Sequence, residues 1–440
     1  MTLKYPKATR LLSAGLCLSA MLIALTASPS RSSDSPSPHK QIATGRVIHI
    51  ADLEGIDLTG QHDNAPIIQR ALKSSGQALQ FPCGVFLLAA TILLPSNTTV
   101  LGNGTCTVLK TSSTIEGNPN WRYLNIIFPP GYPAGVFANS DWQQGTSNIV
   151  VRDVVLDGSN GTNGGRRLYL VAFYKTDSIS IERVRFIGSK SNDVQVGAAI
   201  ISASKFSLID NFAEGMRSAC YGIWDGSHDF IIAGNECDGR SISSGGITVN
   251  GLSTSNESNT SYNGVIANNM VRNTKDTGVF VGGLWNGSKE APVYGDVRSV
   301  TIENNQIENV STFHGVLVSD ARDVSVTGNT VRGIGREGIR VGSQFRGITS
   351  GIVLRNNSVE DSNRSPEEDD AIRITNGASN VTMAGNTVSA GRHRCAIAID
   401  PDVSHTNMPP SIAGLTPGSA SAACDRRTDI GHLPRSNGDH

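Results

Sequence analysis

Apolar and variable residues alternate along most of this chain, in a unit that repeats. The segment VTIENNQI at Val300 recurs as VSVTGNTV at Val324, IVLRNNSV at Ile352 and VTMAGNTV at Val381. The shared pattern is apolar-x-apolar-x-x-Asn-x-apolar. Looser copies begin at Ile149, Ile179, Phe206, Phe230 and Gly264, making nine copies whose shortest spacing, Phe206 to Phe230, is 24 residues. A second motif lies between copies: GIWD at Gly222, GITV at Gly246, GVFV at Gly278, GVLV at Gly315, GIRV at Gly338, AIRI at Ala371 and AIAI at Ala396. Alternation at period two predicts strands with one buried face. A unit of this length holding three short strands predicts one coil of a solenoid, each coil stacked about 4.8 Å above the last.

The expected fold class is therefore all-β, a single-stranded right-handed parallel β-helix with a short N-terminal capping helix. One coil cannot bury a core alone, whereas a stack makes a continuous apolar interior and covers its own strand edges. Leucine-rich repeats lack support because the Leu spacing is missing. Asn235, Asn269, Asn305, Asn329, Asn357 and Asn386 share one repeat position and are expected to stack at a turn, bonding the backbone of neighbouring coils. Ahead of the coils, Asp63 or Asn64 can cap a helix with Pro66 in its first turn and Ile67, Ile68, Ala71 and Leu72 on one face, closing the open end.

Lys4, Lys7 and Arg10 precede an uncharged apolar run over residues 11–27, the layout of a secretory signal peptide, and a lipoprotein reading at Cys17 is disfavoured by Leu16. The expected organisation is a leader over 1–27, a Ser/Pro-rich linker over 28–45, the β-helix over 46–400 with its cap and first coils over 46–110, and a disordered tail over 401–440. The expected location is secreted or periplasmic. A net charge of −1 suggests neither nucleic acid nor a membrane surface as partner, and leaves oligomeric state open. Six cysteines remain after leader removal, an even number suited to disulfides in an oxidising compartment, with Cys83 and Cys106 the favoured pair. No structural metal is expected.

Residues 55–110, with DLTGQHDNAPIIQRAL, ALQFPCGVFLL and SNTTVLGNGTCTVL, resemble the opening segment of the pectate-lyase-like superfamily. That resemblance implies the β-helix fold and a polysaccharide partner, but spans lyases, hydrolases, epimerases and binding proteins. The segment YGIWDGSHD is similar to the YG-x-D-P-H motif of mannuronan C-5 epimerases, which implies active-site roles for Tyr221, Asp225 and His228 with Lys190 about one coil earlier. It departs from that motif by one extra residue after Gly222, by lacking Pro and by displacing His228. Strict alternation turns Asp225 inward unless Trp224 sits in a bulge.

Aligning the GIRV-type strands turns Thr248, Phe280, Leu317, Arg340 and Arg373 outward in one column. The preceding positions, Tyr221, Gly245, Thr277, His314, Glu337 and Asp370, form a second. His314, Glu337, Asp370, Arg340 and Arg373 are then expected to cluster over three coils. Two guanidinium groups one coil apart suit a carboxylated sugar, because each can hold a carboxylate bidentately and neutralise it. Neutralising a uronate makes its neighbouring ring proton easier to remove, the first step of both β-elimination and C-5 epimerisation. The plainer alternative is a solvated ladder of surface ion pairs, each worth less than about 1 kcal/mol.

A hydrolase needs two carboxyl groups about 5 to 9.5 Å apart. EDDAIRI at Glu368 resembles the Asp-Asp element of family 28 glycoside hydrolases, but its companion Asn-Thr-Asp, Gly-His-Gly and Arg-Ile-Lys elements are missing. The carboxylates Glu367, Glu368, Asp369 and Asp370 suit a Ca²⁺ ion at Asp369 and Asp370, and equally suit a hydrated loop. Insertions over 251–263, 283–296, 343–350 and 362–369 leave the stack on one rim, where Tyr262, Trp285 and Tyr294 are placed to stack on sugar faces, as are Trp121, Tyr132 and Trp142 in an earlier insertion. The residues thus point to a lyase or epimerase on an acidic polysaccharide. A glycoside hydrolase and a non-catalytic binding or export protein are the alternatives.

Overall fold

The computed structural model describes residues 45–404 apart from 73–74, 117–133, 161–167, 189–193, 255–256, 285–294, 345–346, 365–369 and 392–394, together with 424–425. The expected leader, nearly all of the linker and most of the tail lie outside the described residues. Among the described residues the strands build three long sheets of 13, 12 and 13 members, parallel but for one strand of sheet 3, and each coil contributes to all three in turn. Sheet 1 carries strands such as Ser204–Ile209 and His228–Ala233, sheet 2 the short strands that follow them, and sheet 3 strands such as Thr277–Leu284 and His314–Ser319. One described strand, Glu257–Asn259, adds to sheet 3 antiparallel as a rim hairpin.

The nine repeat copies stand in one inward column of sheet 1, where Ile149 neighbours Ile179, then Phe206, Phe230, Gly264 and Val300. Rings of Phe206 and Phe230 stack at 5.3 Å inside the core. The next copy begins with Gly264 because a Cβ there would sit 1.9 Å from the Phe230 ring.

The asparagine ladder forms at the corner between sheets 1 and 2. Asn305 is representative: its N–H and Nδ2 each donate to Asn329 Oδ1 at 2.9 Å, and Nδ2 also donates to Ile266 O at 2.9 Å. The ladder starts one coil ahead of the six asparagines, at Asn211 in the copy that begins at Phe206, and Asn211 donates to Asn235 Oδ1. The residue before each ladder position has positive φ and is Asp210, Gly234, Asn268, Asn304, Gly328, Asn356 or Gly385, residue types that tolerate the left-handed region. Replacing Asn305 by Leu takes the acceptor from Asn269 N–H and from one Nδ2 hydrogen of Asn269, whose other bond to Ile232 O remains, and takes the donor from the Ile266 carbonyl, all of them buried. The expected cost is about 3 kcal/mol, from unpaired groups at about 1–3 kcal/mol each. Denaturant midpoints read this directly, and an unshifted midpoint would mean that the ladder is replaceable packing.

The Ala65–Ala71 helix closes the N-terminal end, burying Ala65, Ile68 and Leu72 in the core. Asp63 rather than Asn64 takes a helix N–H, accepting from Ala65 N at 3.0 Å and from Ala89 N at 2.8 Å. Asn64 instead turns back to bond both backbone groups of Asp57. Disulfides join Cys83 to Cys106 and Cys220 to Cys237, and Cys395 is also disulfide-bonded. Among the described residues no helix is long and apolar enough to cross a membrane.

Candidate functional site on the outer face of sheet 3

Sheet 3 turns Thr248, Phe280, Leu317, Arg340 and Arg373 outward in one continuous column, with Arg340 and Arg373 paired in register. Ile339 and Val341 flank Arg340 and point into the core, which fixes the direction of the guanidinium between them. His314 pairs with Thr277 in the adjoining column, and Glu337 and Asp370 precede the next two strands by two residues. This brings His314, Glu337, Arg340, Arg373 and Asp370 to neighbouring coils.

Glu337 is the centre of the group and is wholly buried. Its carboxylate lies 3.0 Å from His314 Nδ1, 3.7 Å from Arg373 Nη1, 3.8 Å from Arg336 Nε and 3.9 Å from Arg340 Nη1. Arg373 also holds Asp400 through Nε at 3.1 Å and Nη2 at 2.8 Å, and Asp400 accepts from the Thr375 hydroxyl. Asp370 is buried too and accepts from Cys395 N–H at 3.2 Å. The arginines are the parts that reach solvent, with 15% of the Arg340 side chain and 24% of that of Arg373 exposed, against 0% for Glu337. A floor of buried acid thus lies under a surface of guanidinium, which is not the solvated ladder of surface pairs.

Burial alone would raise the Glu337 pKa, but His314 and Arg340 overcome this and hold it down to about 2. Burial lowers the His314 pKa; Glu337 opposes that shift, and Arg340 and Arg336 reinforce it. For Arg373, burial works against the charge, but Asp400, Glu337 and Asp370 together raise its pKa. The site therefore holds an ionised carboxylate beside a neutral imidazole near neutral pH. Both depressed values act in one direction on stability, because the unfolded chain takes up these protons at higher pH than the folded one. The Glu337 contribution is complete above its unfolded value near 4.5 and is lost as pH falls towards 2; the His314 contribution begins to fade below 6.5. Acid titration of stability is expected to be shallower for Glu337→Gln than for the wild type between pH 4.5 and 2. Superimposable titrations would show that Glu337 does not carry this dependence.

Other candidates lie elsewhere. The expected second column is out of register by two residues at Tyr221, because Ala219 pairs with Gly245 and Tyr221 with Ile247. Tyr221 consequently points inward, fully buried, with its Oη donating to Glu236 O at 3.3 Å and its ring edge-on to Phe186. Burial raises its pKa well above the ordinary tyrosine value. Asp225 is buried at a positive-φ turn. His228 and Tyr262 belong to sheet 1, stacked on each other at 4.6 Å, with His228 Nδ1 bonded to Asp229 at 2.8 Å. Lys190, Trp285, Tyr294, Asp369, Trp121 and Tyr132 lie outside the described residues. Among the described residues no group of three or more His, Cys, Asp or Glu could hold a metal ion. Arg336, Asp400 and Thr375 were not singled out by the sequence; the aspartate ending AIAID at the next coil was the available signal.

Stacked parallel coils with an internal asparagine ladder define a parallel β-helix. The chain belongs to the family described as rhamnogalacturonase A/epimerase, pectate lyase-like, whose model matches residues 51–280, while the model of the right-handed β-helix region matches residues 291–408. The fold is accordingly a right-handed parallel β-helix of pectate-lyase-like type. No curated protein sequence matches the chain. Among solved structures, the A-module of the Azotobacter vinelandii mannuronan C-5 epimerase AlgE4 is similar at 15% identity and TM-score 0.57, covering 86% of this chain and 100% of that one. The Streptococcus pneumoniae surface adhesin PfbA is similar at 16% identity and TM-score 0.60, covering 82% and 90%. A Thermotoga maritima exopolygalacturonase is similar at 14% identity and TM-score 0.53, covering 82% and 92%. At these identities the likeness is one of fold.

Proposed function

We propose that the protein is exported and acts on an acidic, uronate-containing polysaccharide by β-elimination or C-5 epimerisation, with Arg340 and Arg373 holding the uronate carboxylate and His314 serving as the acid–base group. The observation that carries this reading is the pair of partly exposed guanidinium groups one coil apart over a buried carboxylate–imidazole pair. Bidentate arginine contacts neutralise the uronate and favour loss of its C-5 proton. A neutral imidazole near pH 7 can accept that proton, and Glu337 stabilises the imidazolium that forms. Disulfides at Cys83, Cys220 and Cys395 suit an oxidising compartment and so support export. A glycoside hydrolase is less well supported, because Glu337, its pKa held down to about 2 by His314 and Arg340, stays ionised and cannot serve as the protonated general acid that hydrolysis needs.

Incubating the protein with a panel of uronate polymers and following ultraviolet absorbance detects the unsaturated product of elimination. A rising signal identifies a lyase; a flat signal with changed product stereochemistry identifies an epimerase; unchanged polymer overturns the catalytic reading. A second reading, a non-catalytic polysaccharide-binding protein, is favoured by the burial of His314 beside its partners, and predicts retained binding with unaltered polymer.

A further inference from the structure

Sheet 3 continues from the arginine pair towards the N-terminus without a charged residue in its central outward column: Gly222, Thr248, Phe280 and Leu317 lead to Arg340. Two rings are laid down along this face. The indole of Trp224 lies over Gly222, where a Cβ would sit 2.4 Å from Cζ2, and its Nε1 donates to Thr248 Oγ1 at 3.2 Å. Tyr169 meets the indole edge-on with ring centroids 6.1 Å apart, fixing it from the other side. Two coils further on, the Phe280 ring reaches over Gly282, where a Cβ would be 2.9 Å from Cε2. Both rings are half-buried; the missing side chain at Gly222 is what allows the indole to lie across the sheet, and at Gly282 a Cβ would meet Ser319 O at 2.2 Å as well as the Phe280 ring.

The strand of Trp224 and that of Phe280 are separated by one intervening strand, as are those of Phe280 and Arg340. Each interval is therefore two coils, about 10 Å. Two pyranose units of an extended chain cover a similar length, so every second sugar would meet a ring or the arginine pair. We infer that Trp224 and Phe280 form a stacking track for the same acidic polysaccharide, which lies along the helix axis with alternate sugar faces on the two rings and a uronate carboxylate on Arg340 and Arg373. Aromatic rings present apolar surface at low entropic cost to the C–H face of a sugar, and the absence of charge between them suits a chain whose carboxylates point away from the sheet. This inference rests on the reading of the arginine pair as a uronate site.

The test is calorimetric binding of uronate oligomers, from dimers to octamers, to the full chain and to Trp224→Ala, Phe280→Ala, Trp224→Phe and the double variant Arg340→Gln/Arg373→Gln. For the wild type, affinity should climb with oligomer length. Trp224→Ala and Phe280→Ala should each lose about tenfold, the equivalent of 1.4 kcal/mol, on oligomers long enough to reach the ring, while Trp224→Phe keeps most of the gain. Wild-type length dependence in both alanine variants would overturn the track. A loss at every length, dimers included, would also overturn it, by placing the ring's effect in the fold or in the arginine site. Dimer binding that survives the double arginine variant would instead remove the uronate site on which the inference stands.

Discussion

Replacing Arg340 and Arg373 together by glutamine is expected to weaken binding of uronate polymers by more than a hundredfold, about 3 kcal/mol at charge-assisted strength. Each side chain is held from below by Glu337, and Arg373 also by Asp400, so the two guanidinium groups are already ordered before a ligand arrives. Pre-set donors spend little entropy on binding, which is why the effect should exceed that of a surface ion pair. Lysine at both positions keeps the charge but loses the planar fork, and intermediate affinity is the expected result. Equilibrium binding with a neutral polymer as control reads the effect. Undiminished uronate binding by the glutamine pair would remove the site.

The second large effect concerns stability. Glu337→Gln removes a carboxylate that faces His314, Arg336, Arg340 and Arg373 together. Cations left around an uncharged buried amide should cost about 3–5 kcal/mol, the usual penalty for breaking a buried ion pair. On a chain of this size the thermal midpoint should fall by about 4–6 °C. Glu360 offers a control, being a carboxylate on sheet 2 outside this cluster, where substitution by glutamine should be nearly neutral. An unchanged melting temperature for Glu337→Gln would mean that the cluster is held by packing rather than charge.

The repeating apolar-x-apolar-x-x-Asn unit is legible because each of its positions has a single physical role, with two side chains filling the core and one amide bonding across coils. The outward direction of Arg340 and Arg373 follows from the same alternation. Burial of Glu337 and Asp370 is not legible, since both stand two residues ahead of their strands, where the alternation that sorts inward from outward positions has not begun. Tyr221 misled because Gly222 imitates the glycine that opens the motif at Gly246. In the folded coil Ala219 takes the place opposite Gly245, and the large phenol ring is taken into the interior beside Phe186. The laying of Trp224 over Gly222 depends on a rotamer, for which periodicity carries no signal.

Proton exchange at C-5 is shared by elimination and epimerisation, so its direct observation tests the central claim. The protein is incubated with a uronate polymer in D₂O and the C-5 proton is followed by nuclear magnetic resonance. The structure predicts loss of that signal, through deuterium uptake or formation of the unsaturated sugar, with the rate abolished in the Arg340→Gln/Arg373→Gln variant. A C-5 signal that stays intact on polymers the protein binds would contradict proton abstraction at this site and leave sheet 3 as a binding surface alone.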